Sequence, residues 1–219
     1  MYTPPLFREQ DRAELHQLIF EARLTVLVSN GPDGLPEISY LPLLFDPDDG
    51  PHGVLHGHFA RANPHWQTLS ARPDATAIFM GPDAYVSPTW YPTKQVHHKH
   101  VPTWNYETVH AIGQAEIFDD SSRLRELVAR LTSRHEDGRT EPWTLDQAPA
   151  DFIEAQLKAI IGMRFVVTEL RGKRKLSQNR VPEDREGVRE ALAASADPVD
   201  QAVAASMTRL QQKMPRRVD

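Results

Sequence analysis

Between residues 9 and 23, apolar side chains fall at Leu15, Leu18, Ile19 and Ala22, the spacing that lays one stripe along a helix. The runs LTVLVSN (24–30) and LPEISYLPLLF (35–45) are β-rich and flank Gly31-Pro32-Asp33-Gly34, which predicts two strands joined by a tight turn. Pro36 and Pro42 carry no amide hydrogen, so the second strand is expected at an edge or irregular there. Further strands are predicted over 53–59, 75–81, 105–118 and 163–170. Helices are predicted over 64–72, 122–134 (apolar at Leu124, Leu127, Val128 and Leu131) and 150–160, with two more around 184–194 and 198–213. Strands dominate the first half without regular alternation with helices, so the expected class is α+β, a barrel or sandwich decorated by helices.

Composition narrows this only a little. The 219 residues are 40% hydrophobic and 25% charged with no long uncharged apolar run, which gives no expectation of a membrane span. The opening MYTPPLFREQDRAEL lacks the features of a secretory signal, so a cytoplasmic protein is expected. Zero cysteines exclude disulfides, thiolate metal sites and cysteine nucleophiles. A formal charge of −5 offers nucleic acid no general attraction; the one basic run is Arg171, Lys173, Arg174 and Lys175, flanked by Arg164 and Arg180. It is read as a solvated strand end, and DNA contact is expected to be weak or indirect.

Three segments carry candidate chemistry. In LHGHFARANPHW, Asn63 and Pro64 suit the start of a helix whose free amides favour an anion; Arg61 can fork onto a phosphate, and His58 adds a donor. His56 and His58 share a strand face, but no third ligand stands at a companion spacing, so no metal is expected. The segment YVSPTWYPTKQVHHKHVPTWNY concentrates Tyr85, Trp90, Tyr91, Trp104 and Tyr106 among prolines and hydroxyls, a composition suited to a planar ring, an aromatic core or a subunit interface. Its run His97, His98, Lys99, His100 reads as a solvated loop tip. Finally, Ser177, Gln178 and Asn179 either meet a polar ring edge or form a turn.

Taken in order, HFARANP, YVSPTWYP with VPTWNY, and KLSQN resemble the PaiB family of FMN-binding negative transcriptional regulators, and MYTPPLF is similar to its usual start. The resemblance runs to about Arg180. It implies a six-stranded split β-barrel of the pyridoxamine-phosphate-oxidase type over 1–180, with 181–219 as a helical C-terminal appendage. It further implies a homodimer with FMN between subunits. A collective flavin-site role falls on His58, Arg61, Asn63, Ser87, Trp90, Tyr91, Thr103, Trp104, Asn105, Tyr106, Ser177, Gln178 and Asn179. No catalytic residue is assigned. Rival readings are an FMN-dependent oxidoreductase (a flavin reductase, or one like pyridoxamine-phosphate oxidase) and a haem-handling relative of the same fold.

Overall fold

The computed structural model describes residues 1–213. In chain order the elements are β1 (Arg8–Glu9), α1 (Arg12–Glu21), β2 (Thr25–Asn30), β3 (Pro36–Leu41), β4 (Leu44–Asp46), β5 (Val54–Ala60), α2 (His65–Ala71) and β6 (Asp74–Val86). Then follow α3 (Lys94–His97), β7 (Thr103–Phe118), α4 (Ser121–Glu136), α5 (Ala150–Lys158), β8 (Ile160–Lys175), α6 (Pro182–Ala193) and α7 (Pro198–Lys213). The sheet order is β3-β2-β6-β7-β8-β5-β4 with β1 on β8. The ladders joining β2 to β3 and β6, β5 to β4 and β8, and β1 to β8 are antiparallel. The expected class therefore holds: mixed α and β, an antiparallel split-barrel sheet that does not close, and peripheral helices. Eight strands replace the expected six because Pro42 splits the second strand into β3 and β4, and because Arg8 and Glu9 pair with Lys173 and Gly172. The chain compacts as two units. The first comprises Met1–Leu18, Met80–Val109 and Gly172 onward; the second comprises Ile19–Phe79 and His110–Arg171.

In the second unit, β5 alternates faces. Leu55 and Phe59 are fully buried opposite Phe165 and Ile161 of β8. Each such side chain stabilises the fold by about 1.5–3 kcal/mol. His56 and His58 point to the other face and are half-buried. Helices α4 and α5 contribute Leu124, Ile153 and Leu157 to a cluster with Leu145, against which Phe118 and Ile160 pack. Gly162 stands opposite His58, and a Cβ there would collide with the Phe118 ring.

The first unit contains α6 and α7, whose Val188, Leu192, Val203, Ala204 and Met207 share one core with Ala84, Val86, Tyr91 and Leu176. Residues 214–219 of the expected appendage lie outside the described residues. Helix α1 starts at Arg12, later than expected, because the Asp11 carboxylate accepts the Ala13 amide at 3.0 Å and Glu9 is drawn into β1. Strand β8 overruns its expected end by five residues, through the whole basic run. The cause is ionic: Arg174, 2% exposed, meets the carboxylates of Glu107, Glu14 and Glu9, and Lys213 at the end of α7 also bonds Glu14 and Asp11. Burial alone would lower the Arg174 pKa; three carboxylates outweigh it and hold the guanidinium above its ordinary value.

Candidate functional site

The first motif lies in the second unit. Asn63 Oδ1 accepts the His65 amide at 3.0 Å, and Pro64 is already helical, as the sequence predicts for the start of α2. The Arg61 guanidinium donates through Nε to the Lys158 carbonyl (2.8 Å) and through Nη2 to the Ile160 carbonyl (3.3 Å), joining the end of α5 to the start of β8. Part of the fork expected for a phosphate is thus spent on backbone. The imidazole of His65, fully buried, sits between Ser29 Oγ (2.9 Å at Nε2) and Ser39 Oγ (2.8 Å at Nδ1), and Asn63 Nδ2 donates to Ser39 at 3.2 Å. His56 Nε2 and His58 Nδ1 are buried without hydrogen-bond partners. Burial pushes both rings below the ordinary histidine pKa. Among the described residues, no three His, Cys, Asp or Glu side chains gather as a metal would require.

The other three motifs lie in the first unit and interlock. Ser87 caps the 3-10 turn Pro88–Trp90 by accepting the Thr89 amide at 3.2 Å, and a Cβ on Gly187 of α6 would collide with the Trp90 carbonyl. Tyr91 is buried, with its ring 4.6 Å from His100 and 4.8 Å below the Arg180 guanidinium. Burial pushes its phenol pKa up, and Arg180 opposes that. Asn105 and Ser177, 72 residues apart, exchange a reciprocal pair of hydrogen bonds at 3.0 and 3.1 Å. Ser177 holds a left-handed backbone (φ 64), which costs about 1–3 kcal/mol for a residue with a Cβ and persists because these bonds over-determine it. Gln178 folds back to accept the Leu176 amide and to donate to the Arg174 carbonyl. Asn105, Ser177 and Gln178 are therefore engaged within the protein itself. Trp104, 53% exposed and edge-on to Tyr85 at 6.1 Å, and exposed Asn179 are the members open to a ligand.

Two sequence readings need correction. The basic run is not a solvated strand end: Lys173 and Arg174 are buried and Lys175 is half-buried. Period-two alternation sends Arg174 to the carboxylate face, and Lys173 and Lys175 to the opposite one. Lys175 Nζ donates to Thr103 Oγ1 (2.7 Å) and to the Trp104 carbonyl; Lys173 Nζ donates to the Tyr2 carbonyl (3.2 Å) and lies 4.9 Å from the Tyr106 ring. Nor is the histidine run wholly a loop tip. His97 ends α3 and His98 caps it, but the side chain of His100 is 4% exposed. Its Nε2 meets Thr93 Oγ1 at 2.9 Å, and Thr93 donates to both carboxylate oxygens of buried Asp184. Sequence reasoning missed Thr93, Asp184, Lys173, Lys175 and Arg180 as neighbours of the aromatic segment. Extending the strand alternation through residue 175 was the available signal for the lysines.

Residues 1–169 match the family model described as "Putative FMN-binding domain". A curated relative, Protease synthase and sporulation protein PAI 2 of Bacillus subtilis (strain 168), is 34% identical over 90% of this chain and 92% of its own. Among solved structures, the flavocytochrome Anf3 of Azotobacter vinelandii aligns with a TM-score of 0.59 at 15% identity, over 82% of this chain and 75% of that one. The FAD and heme binding protein of Mycobacterium smegmatis aligns with a TM-score of 0.55 at 17% identity, over 81% and 78%. At these identities the two structures speak for the fold alone.

Proposed function

This chain belongs to the FMN-binding family just described, and from that premise we propose that it holds FMN beside the Trp90–Tyr91 and Trp104–Tyr106 segments and serves as a cytoplasmic regulatory flavoprotein. The observation that carries this reading is the convergence of three sequence-distant motifs in one unit: Asn105 locks to Ser177, Lys175 to Thr103 and Trp104, and Arg180 to Tyr91. Such a frame is fixed before any ligand arrives, which limits the ordering cost of binding. The exposed Trp104 face fits a flat heteroaromatic ring. Bound flavin would supply hydride and single-electron chemistry; these residues would bind and orient it. Titrating FMN into the purified protein and following flavin absorbance and fluorescence tests the reading. Saturable one-to-one binding, weakened several-fold for FMN and riboflavin alike by Trp104→Ala, is expected; no binding by either flavin overturns it.

The relative's name ties it to protease synthesis and sporulation. A regulatory role for this chain need not run through operator reading, because Arg174 is enclosed by carboxylates and Lys173 is buried. DNA association is accordingly weak and non-specific, with Kd no tighter than about 10⁻⁶ M at physiological salt. Nanomolar, sequence-selective binding in an anisotropy titration would contradict that. A homodimer is also part of the proposal. On β2, β3 and β6, register places Val26, Val28, Ile38, Tyr40 and Ile78 on one outer face, with Tyr40 69% exposed. An apolar face of this kind on an edge hairpin suits a second copy of itself. Sedimentation should give twice the chain mass, and Tyr40→Lys with Ile38→Lys should halve it.

A further inference from the structure

Several cations in this chain are held by carboxylates. Arg174 has three carboxylates, Lys213 two and Arg171 one. Lys173 is buried and Lys175 and Arg180 are half-buried, yet among the described residues none of the three has a carboxylate within ion-pair distance. The three nonetheless sit close enough for Lys173 and Arg180 to disfavour charge on Lys175, whose pKa is pushed down first by burial and then by these two cations. Asp184, whose charge acts on the Tyr91 phenol, is occupied by the Thr93 amide and hydroxyl. Carbonyl dipoles from Tyr2 and Trp104 compensate the lysines only in part. Two N–H bonds on Lys173 and one on Lys175 remain unused, and the Arg180 guanidinium lies 4.8 Å from the centre of the Tyr91 ring. Three partly desolvated cations without an anion repel one another, and a dianion with several acceptor oxygens would relieve that repulsion.

We propose that Lys173, Lys175 and Arg180 form a phosphate-monoester site and that, on the flavin reading above, they take the phosphate end of FMN. The neighbours agree with that assignment, since Thr103, Trp104 and Tyr106 lie against the two lysines and Trp104 offers exposed ring surface for the rest of the ligand. Arg61 is the rival reader, and its guanidinium is already bonded to two carbonyls.

The test titrates FMN and riboflavin separately into wild type, Lys175→Met, Arg180→Gln and Arg61→Gln, with Lys175→Arg as a charge-preserving control. Wild type should prefer FMN. Lys175→Met and Arg180→Gln should each lose about 10- to 100-fold in FMN affinity, with riboflavin within about threefold, and Lys175→Arg should recover most of the loss. Equal losses for both flavins, or a preference for FMN that collapses only in Arg61→Gln, overturn the proposal. Should wild type bind neither flavin, the cofactor reading fails and inorganic phosphate decides the anion site by itself. A melting temperature raised by millimolar phosphate over chloride of equal ionic strength, and not raised in Lys175→Met, sustains it; no rise in wild type overturns it.

Discussion

In the second unit, buried polar side chains form a neutral chain, Asn63 to Ser39 to His65 to Ser29, in which both ring nitrogens of His65 are bonded. The first unit also buries an ionised cluster, with Arg174 ringed by Glu107, Glu14 and Glu9. The neutral chain closes on short side chains of β2, β3 and α2 and needs no distant partner for charge balance. The ionised cluster draws on β1, α1, β7, β8 and, through Lys213, α7. Polarity in one case fixes a local helix start and in the other holds together segments far apart in the chain. It also sorts the cations: on β8 the inward face is saturated with carboxylates while the opposite face keeps Lys173 and Lys175 free of them.

The sharpest way to break this contrast is Arg174→Met, which leaves Glu107, fully buried, without its counter-charge. A loss of about 3–5 kcal/mol in urea unfolding is expected, against a gain or no change if the cluster were incidental. Ser39→Ala strands one nitrogen of His65 and should cost about 1–3 kcal/mol. Ser177→Ala should cost about 1–2 kcal/mol through the orphaned Asn105 amide, and Ser177→Gly less, because glycine accepts the left-handed backbone freely.

The smallest effect concerns pH. Burial lowers the pKa of His56, His58, His65 and His110, all in the second unit, from 6.5. A base with a depressed folded pKa binds its proton more readily when unfolded. Stability from these four is thus complete above about pH 6.5 and is lost as pH falls below it towards the folded values. Replacing His58 with Phe should lessen the slope of unfolding free energy between about pH 6.5 and 5. An unchanged slope would mean that the ring is hydrated or paired in solution.

How far the sequence could be read divides along the same line. Helices α1, α4 and α5 were legible from apolar spacing, the break between β3 and β4 from Pro42, and the start of α2 from Asn63-Pro64, because each depends on neighbours in the chain. The end of β8 was not. A run of five residues holding Arg171, Lys173, Arg174 and Lys175 has the composition of a loop, and only carboxylates at positions 9, 14 and 107 make it a strand. Among the motif residues, composition could not separate those bonded to one another from those left exposed: Asn105, Ser177 and Gln178 look like ligand donors until their partners are known. The burial of His100 likewise depends on Asp184, 84 positions downstream.

The composition of the first unit from three separate stretches bears on how the protein is born. As the chain leaves the ribosome, Ile19 to Arg171 can settle once residue 171 has emerged, since both stretches of the second unit are then available. Glu9 and Glu14 emerge long before their cations, since Arg174 and Lys213 come 165 and 199 positions later. Until Arg174 and Lys213 have emerged, the carboxylates of the opening helix lack their counter-charges. Release of the last turn of α7 completes this ionic cluster, and chains that stop short of Lys213 lack the cation that Asp11 and Glu14 share.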